Sequence, residues 1–203
     1  RLGLDEASFV YLSLGRVRSY KGLEELIPAF KALSDPDAVL LIAGEVHEPG
    51  YERRLANLAE NDARIRLHLQ FVDDDELQVY LNACDVSVLP YRHVTTSGAA
   101  LLSFSFGVPI LAPRVGCFVQ LAGQHGERGI LYNAASPKGL LDALGRARQS
   151  DLEGMRQTCA EYAQRLNWHD IAKQHAAMYQ KCGRRRRMKL SVLMPVYNEE
   201  VDL

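Results

Sequence analysis

The 203 residues are 47% hydrophobic and carry a formal charge of -1, so the chain can bury one substantial core and lacks the cationic surplus of a nucleic-acid binder. Its four cysteines, Cys84, Cys117, Cys159 and Cys182, lie far apart with no Cys-x-x-Cys pair. That spacing argues against a zinc knuckle or a disulfide scaffold and for reduced thiols in the cytoplasm, and no apolar run approaches the ~20 residues of a membrane span.

The first predicted element is a buried strand over the apolar run Phe9–Leu14. It is followed by Gly15-Arg16-Val17-Arg18-Ser19-Tyr20-Lys21-Gly22, which sets three cations and two glycines where a helix opens. Glycine lets the backbone come close to a ligand, the free N–H groups of a helix start attract anions, and Arg16 and Lys21 add positive charge. The stretch therefore suits a pyrophosphate, although taken alone it also fits an ordinary β-to-α loop with solvated cations. Leu23, Leu26, Ile27, Phe30 and Leu33 fall on one face of the helix that follows.

Further strands are predicted over Val39–Ala43, Ile65–Gln70, Val86–Leu89 and Val108–Ala112, with amphipathic segments between them. Leu55, Leu58 and Ala59 mark one such helix after Tyr51, and Asp73-Asp74-Asp75 favours the start of another carrying Leu77, Tyr80 and Leu81. From Pro137 to Cys182 the pattern is helical throughout. The expected fold is α/β, a Rossmann-like parallel sheet with helices on both faces, ending in a helical segment.

A second loop, Pro90-Tyr91-Arg92-His93-Val94-Thr95-Thr96-Ser97-Gly98, lies between the strand Val86–Leu89 and a helix over Ala99–Phe106. The hydroxyls of Thr95, Thr96 and Ser97 can cap that helix or bond a ligand, and Gly98 lets a phosphate or sugar oxygen reach the first N–H groups. Two such loops at the carboxyl ends of strands in one parallel sheet point to a nucleotide, because open α/β sheets bind ligands along that edge.

The order of residues resembles the carboxyl-terminal, donor-binding half of family 4 retaining glycosyltransferases of the GT-B fold. The resemblance rests on Gly15-Arg16, Lys21-Gly22, Ile42-Ala43-Gly44, Ala83-Cys84-Asp85-Val86-Ser87-Val88-Leu89-Pro90, Gly107-Val108-Pro109-Ile110-Leu111-Ala112, Arg128-Gly129-Ile130-Leu131-Tyr132, and Trp168 opening a last helix. It implies that Arg16 and Lys21 neutralise a donor diphosphate, that Gly15, Gly22, Thr96, Ser97 and Gly98 line the donor, and that a sugar passes from a nucleotide-diphosphate sugar to a hydroxyl of a glycan or lipid-linked acceptor. The chain departs from the family at two positions. Where the family carries glutamates near the donor sugar and the ribose, alignment on Gly98 and Gly107-Val108-Pro109 puts Thr95 and Ser103. Both offer neutral contacts that are weaker than a charged acceptor.

No metal or other cofactor is expected, because the six histidines, His47, His68, His93, His125, His169 and His175, show no ligand spacing. The domain should occupy residues 1–182. Residues 183–189 read as a basic linker, and residues 190–203 as the truncated start of a second domain: Lys189-Leu190-Ser191-Val192-Leu193-Met194-Pro195-Val196-Tyr197-Asn198-Glu199-Glu200 resembles the first strand and loop of a family 2, GT-A glycosyltransferase. The chain begins at Arg1 and stops inside that pattern, so it is expected to be a piece of a longer polypeptide whose acceptor domain lies amino-terminal to it. Arg184–Arg187 either solvate the linker or touch the anionic inner face of a membrane. A non-catalytic nucleotide-sugar-binding module and a GT-B epimerase remain alternatives to a transferase.

Overall fold

The computed structural model describes residues 2–5, 7–166 and 168–183. Among the described residues there are six strands, β1 (Phe9–Leu14), β2 (Ala38–Ala43), β3 (Ile65–His68), β4 (Val86–Val88), β5 (Ile110–Pro113) and β6 (Gly129–Tyr132). The same described residues form eight α-helices, α1 (Leu23–Lys31), α2 (Tyr51–Ala59), α3 (Asp74–Asn82), α4 (Gly98–Ser105), α5 (Phe118–Ala122), α6 (Gly139–Ala147), α7 (Leu152–Arg165) and α8 (Trp168–Gly183). Residues 1–165 form one compact unit, and α8 belongs to a second. Within α8 the rings of His175 and Tyr179 stand 6.4 Å apart, one helical turn from each other. The GT-A-like tail and all of the predicted linker after Gly183 lie outside the described residues.

The strands form one parallel sheet in the order β3-β2-β1-β4-β5-β6. Buried on both faces, β1 and β2 need continuous apolar runs, and five of six residues of β1 and all six of β2 are buried. Alternation then sorts them. Tyr11, Leu40 and Ile42 face α1, α2 and α6 together with Leu26, Phe30, Leu55 and Leu144. Leu12, Leu41 and Ala43 face α3 on the other side with Tyr80 and Leu81. Toward β5 that second side is completed by α4, α5 and α7 through Phe104, Phe118 and Cys159. The phenol of Tyr11, inside the first cluster, donates to the Leu144 carbonyl at 2.7 Å, which ties β1 to α6.

The five predicted strands are present, the first with the same ends and the others with ends moved by one or two residues, and a sixth joins them. Gly129-Ile130-Leu131-Tyr132 is not among the strands predicted from sequence. In the sheet it is β6, and a Cβ at Gly129 would stand 2.6 Å from the backbone oxygen of Ile110 on β5. The glycine is there to let two strands approach.

Candidate functional site

The chain runs outward from β1 to β3 in one direction and from β4 to β6 in the other, so β1 and β4 are neighbours at the point where the winding reverses. In open α/β sheets ligands bind outside the carboxyl ends of the strands at such a point. The two predicted loops are the ones that follow these strands.

The first loop folds Lys21 back over its own start. Gly15 has φ +108°, and a Cβ placed on it would lie 3.3 Å from the Lys21 ammonium. Ser19–Lys21 form a 3-10 turn, closed by Gly22 in the left-handed region at φ +70°. Lys21 is 8% exposed, and its Nζ sits 5.5 Å from the centroid of the Tyr91 ring. Burial first, then the Arg18 and Arg16 charges, lower its pKa from 10.5 to about 8. A cation so poorly solvated gains most from an anion brought beside it. Arg16 is exposed and Arg18 half-buried in the same loop.

Three loops interlock to hold this turn. A Cβ at Gly44, after β2, would lie 2.2 Å from the Gly15 carbonyl, and one at Gly22 would lie 2.1 Å from the Pro90 carbonyl after β4. The backbones therefore meet directly. Val17 donates its N–H to the Glu45 carbonyl at 2.8 Å, and Arg92 donates its N–H to the Tyr20 carbonyl at 2.9 Å. A carboxylate oxygen of Glu48 accepts the Ser19 N–H at 2.9 Å and the Ser19 hydroxyl at 3.3 Å.

The second loop is anchored by Arg92, whose guanidinium pairs with Glu25 and Glu24 on α1, and by the Val94 carbonyl, which lies against Gly116. Ser97 is buried and caps α4, its hydroxyl accepting the Ala100 N–H at 3.2 Å. Thr95 and Thr96 are exposed just before that cap, and Gly98 has open space where a side chain would stand. Ser103 lies inside the helix at 2% exposure, and its hydroxyl donates to the Ala99 carbonyl at 2.8 Å.

The structure thus joins the Gly15–Gly22 loop to the loop bearing Thr95–Gly98 through the Lys21–Tyr91, Tyr20–Arg92 and Gly22–Pro90 contacts. Tyr91, Glu48, Gly44 and Gly116 complete the arrangement, and sequence reasoning gave none of them a role in it. Glycine directly after a strand end was a usable signal for Gly44. The other three act through tertiary contacts that no spacing encodes. Asp85 is structural: its carboxylate accepts the Val10 N–H at 2.8 Å at the amino end of the sheet. Glu45 pairs with His47 at 3.0 Å in the loop after β2. A cavity of about 300 Å³ borders the second loop, lined by Pro90, Tyr91 and Arg92 of that loop with Glu25, Tyr132 and Leu140 among others. Among the described residues no three His, Cys, Asp or Glu side chains are placed to hold a metal ion, and no helix is long and apolar enough to cross a membrane.

The family model described as "Glycosyl transferases group 1" matches residues 1–166, over four-fifths of the chain. The chain belongs to the group 1 glycosyl transferases. Among the relatives of this glycosyltransferase domain is a GDP-mannose:glycolipid 4-beta-D-mannosyltransferase of Xanthomonas campestris pv. campestris, 31% identical over 141 residues that make up 67% of this chain and 40% of that protein. A D-inositol 3-phosphate glycosyltransferase of Corynebacterium glutamicum (strain R) is 29% identical over 88% of this chain and 44% of its own length. The chain spans less than half of either relative. Of solved structures, a sucrose-phosphate synthase from Thermosynechococcus elongatus superposes with a TM-score of 0.74 at 27% identity, over 90% of this chain and 47% of that one. The C-terminal domain of a group 1 family protein from Francisella tularensis shares the fold at a TM-score of 0.66 and 20% identity, over 78% of this chain and 85% of that domain. The Rossmann-like sheet of this glycosyltransferase domain is accordingly that of the carboxyl-terminal half of a GT-B fold.

Proposed function

We propose that this chain is the donor-binding half of an enzyme that transfers a sugar from a nucleotide-diphosphate sugar to a hydroxyl of a glycan or lipid-linked acceptor. The observation that carries the reading is Lys21, an almost fully buried cation short of solvation in the loop that follows β1, with the capped start of α4 following the loop that packs against it. When the bond from the anomeric carbon to the diphosphate breaks, the leaving oxygen gains negative charge. Fixed cations at that position lower the barrier because they interact more strongly with the departing diphosphate than with the intact donor. Lys21 and Arg16 take that part, and no metal is required. Gly15 and Gly22 keep side chains out of the approach, the free N–H groups opening α4 supplement the cations, and Thr95 and Thr96 offer neutral hydroxyls to the donor sugar. Acceptor binding falls to an amino-terminal domain, and the basic run Arg184–Arg187 would hold a cytoplasmic enzyme against an anionic membrane surface.

The relatives' names make GDP and GDP-mannose the first ligands to try. Calorimetric titration with GDP, UDP and ADP and with their sugar conjugates, beside the Arg16→Ala/Lys21→Ala double variant, tests the reading. Binding of one diphosphate that the double variant loses is expected. Equal binding by both proteins would overturn the site.

A further inference from the structure

We infer that Glu48 is a positioning residue for diphosphate capture, acting through Ser19 on the turn that carries Lys21; the inference rests on the diphosphate reading above. Glu48 belongs to the loop after β2, and its carboxylate accepts both the N–H and the hydroxyl of Ser19. Ser19 is the first residue of the 3-10 turn, where backbone N–H groups have no partner within the turn itself. Two residues later the same turn presents Lys21, whose N–H is bonded back to the Arg18 carbonyl at 3.0 Å, while Gly22 closes on the Ser19 carbonyl at 3.2 Å. The outer side of the turn is tied to the β4 loop through Tyr20 and Arg92. Its entry is tied by Glu48. Together the two attachments fix where the Lys21 ammonium stands before a ligand arrives.

Electrostatics alone would argue against this carboxylate. A negative charge in contact with a loop bearing Arg16, Arg18 and Lys21 opposes capture of an anion. Positional order and Coulomb repulsion therefore predict opposite results when Glu48 is changed. If the acceptor geometry matters, Glu48→Ala weakens binding, whereas Glu48→Gln keeps an oxygen for Ser19, sheds the charge, and binds as well as wild type or better. Ser19→Pro removes both bonds from the other partner at a position where the turn makes no use of the Ser19 N–H. Proline suits the first position of a helical turn, and Arg18 before it is already extended at φ -140° and ψ 152°.

The experiment is calorimetric titration of the full chain and these variants, with GDP and UDP as probes. We expect Glu48→Ala and Ser19→Pro to weaken the bound diphosphate about tenfold each, because both remove the same two hydrogen bonds to a charged group. The Glu48→Ala/Ser19→Pro double variant should be no weaker than either, and Glu48→Gln should stay within about twofold of wild type or bind tighter. Unchanged or tighter binding by Glu48→Ala overturns the inference, as does Glu48→Gln as weak as Glu48→Ala. Should Glu48→Ala fail to fold, Ser19→Pro with wild-type affinity overturns it equally. A wild-type chain that binds neither diphosphate, or whose binding survives Lys21→Ala, overturns the donor-site reading itself. Binding lost in Lys21→Ala but kept in Glu48→Ala sinks the positioning role alone.

Discussion

At the scale of single residues, Lys21 is where folding and binding pull in opposite directions. Unfolded, it titrates at its ordinary value of 10.5, and folded at about 8. Between those values the unfolded chain holds the proton and the folded one releases it, so this residue's contribution to stability rises with pH across the window. Below pH 8 the buried charge costs on the order of 3 kcal/mol. Lys21→Met should therefore raise the thermal midpoint at pH 7 while abolishing diphosphate binding; a lowered midpoint would mean the ammonium is better solvated than its burial indicates. An anion needs the charged form, so wild-type affinity should be flat below pH 8 and fall ~10-fold per pH unit above it, with one proton taken up on binding. Calorimetry in buffers of different ionisation enthalpy reads that proton directly. Ser103 gives a contrasting case. Its hydroxyl proton is spent on the Ala99 carbonyl within α4, so Ser103→Ala should change the affinity for a nucleoside diphosphate less than threefold, and a larger loss would place the ribose against this side chain. The loop bearing Arg16 and Lys21 was legible in sequence, because its cations stand between two glycines directly after an apolar run. Glu48 and Tyr91 were not, because a carboxylate reaching Ser19 from another loop and a ring under an ammonium are products of packing.

Elements were legible in proportion to how long their pattern ran. The apolar runs of β1 and β2 and the hydrophobic face of α1 announce themselves. Helix α5, five residues long, gave no periodic signal, and β6 was hidden by its opening glycine. Glycines at the loop junctions separate two kinds of constraint. Gly22 is in the left-handed region with the Pro90 carbonyl 2.1 Å from where a Cβ would stand, and Gly98 has ordinary φ and open space. Gly22→Ala should cost more than about 2 kcal/mol, because both the backbone and its neighbour must shift. Gly98→Ala should leave stability unchanged or raise it by about 0.5–1 kcal/mol, as in any helix. Urea denaturation compares the two. If Gly98→Ala nonetheless loses ligand, the ligand itself occupies the open space; unimpaired binding would show that nothing approaches α4 there.

For the whole molecule, the alternation of strand and helix was enough to give a parallel sheet covered on both faces, and the family pattern gave the half of GT-B to which it corresponds. The strand order, and with it the neighbours β1 and β4, came from the structure. Wherever β1 and β4 meet, partners are distant in the chain, as with Val10 and Asp85, whose hydrogen bond spans a sequence separation of 75. Closing so long a connection is entropically unfavourable and slow relative to forming local helices. The loops after β1 and β4 meet across that pairing, so their joint site cannot exist in a partly assembled chain. In a refolding experiment, recovery of nucleotide binding should coincide with the slowest phase seen by near-ultraviolet dichroism and lag behind helix formation; binding that returned with the helical signal would mean the first loop suffices. A bound nucleotide would then act as a latch on the finished topology, slowing unfolding, and cells short of donor would hold less of this protein folded than cells supplied with it.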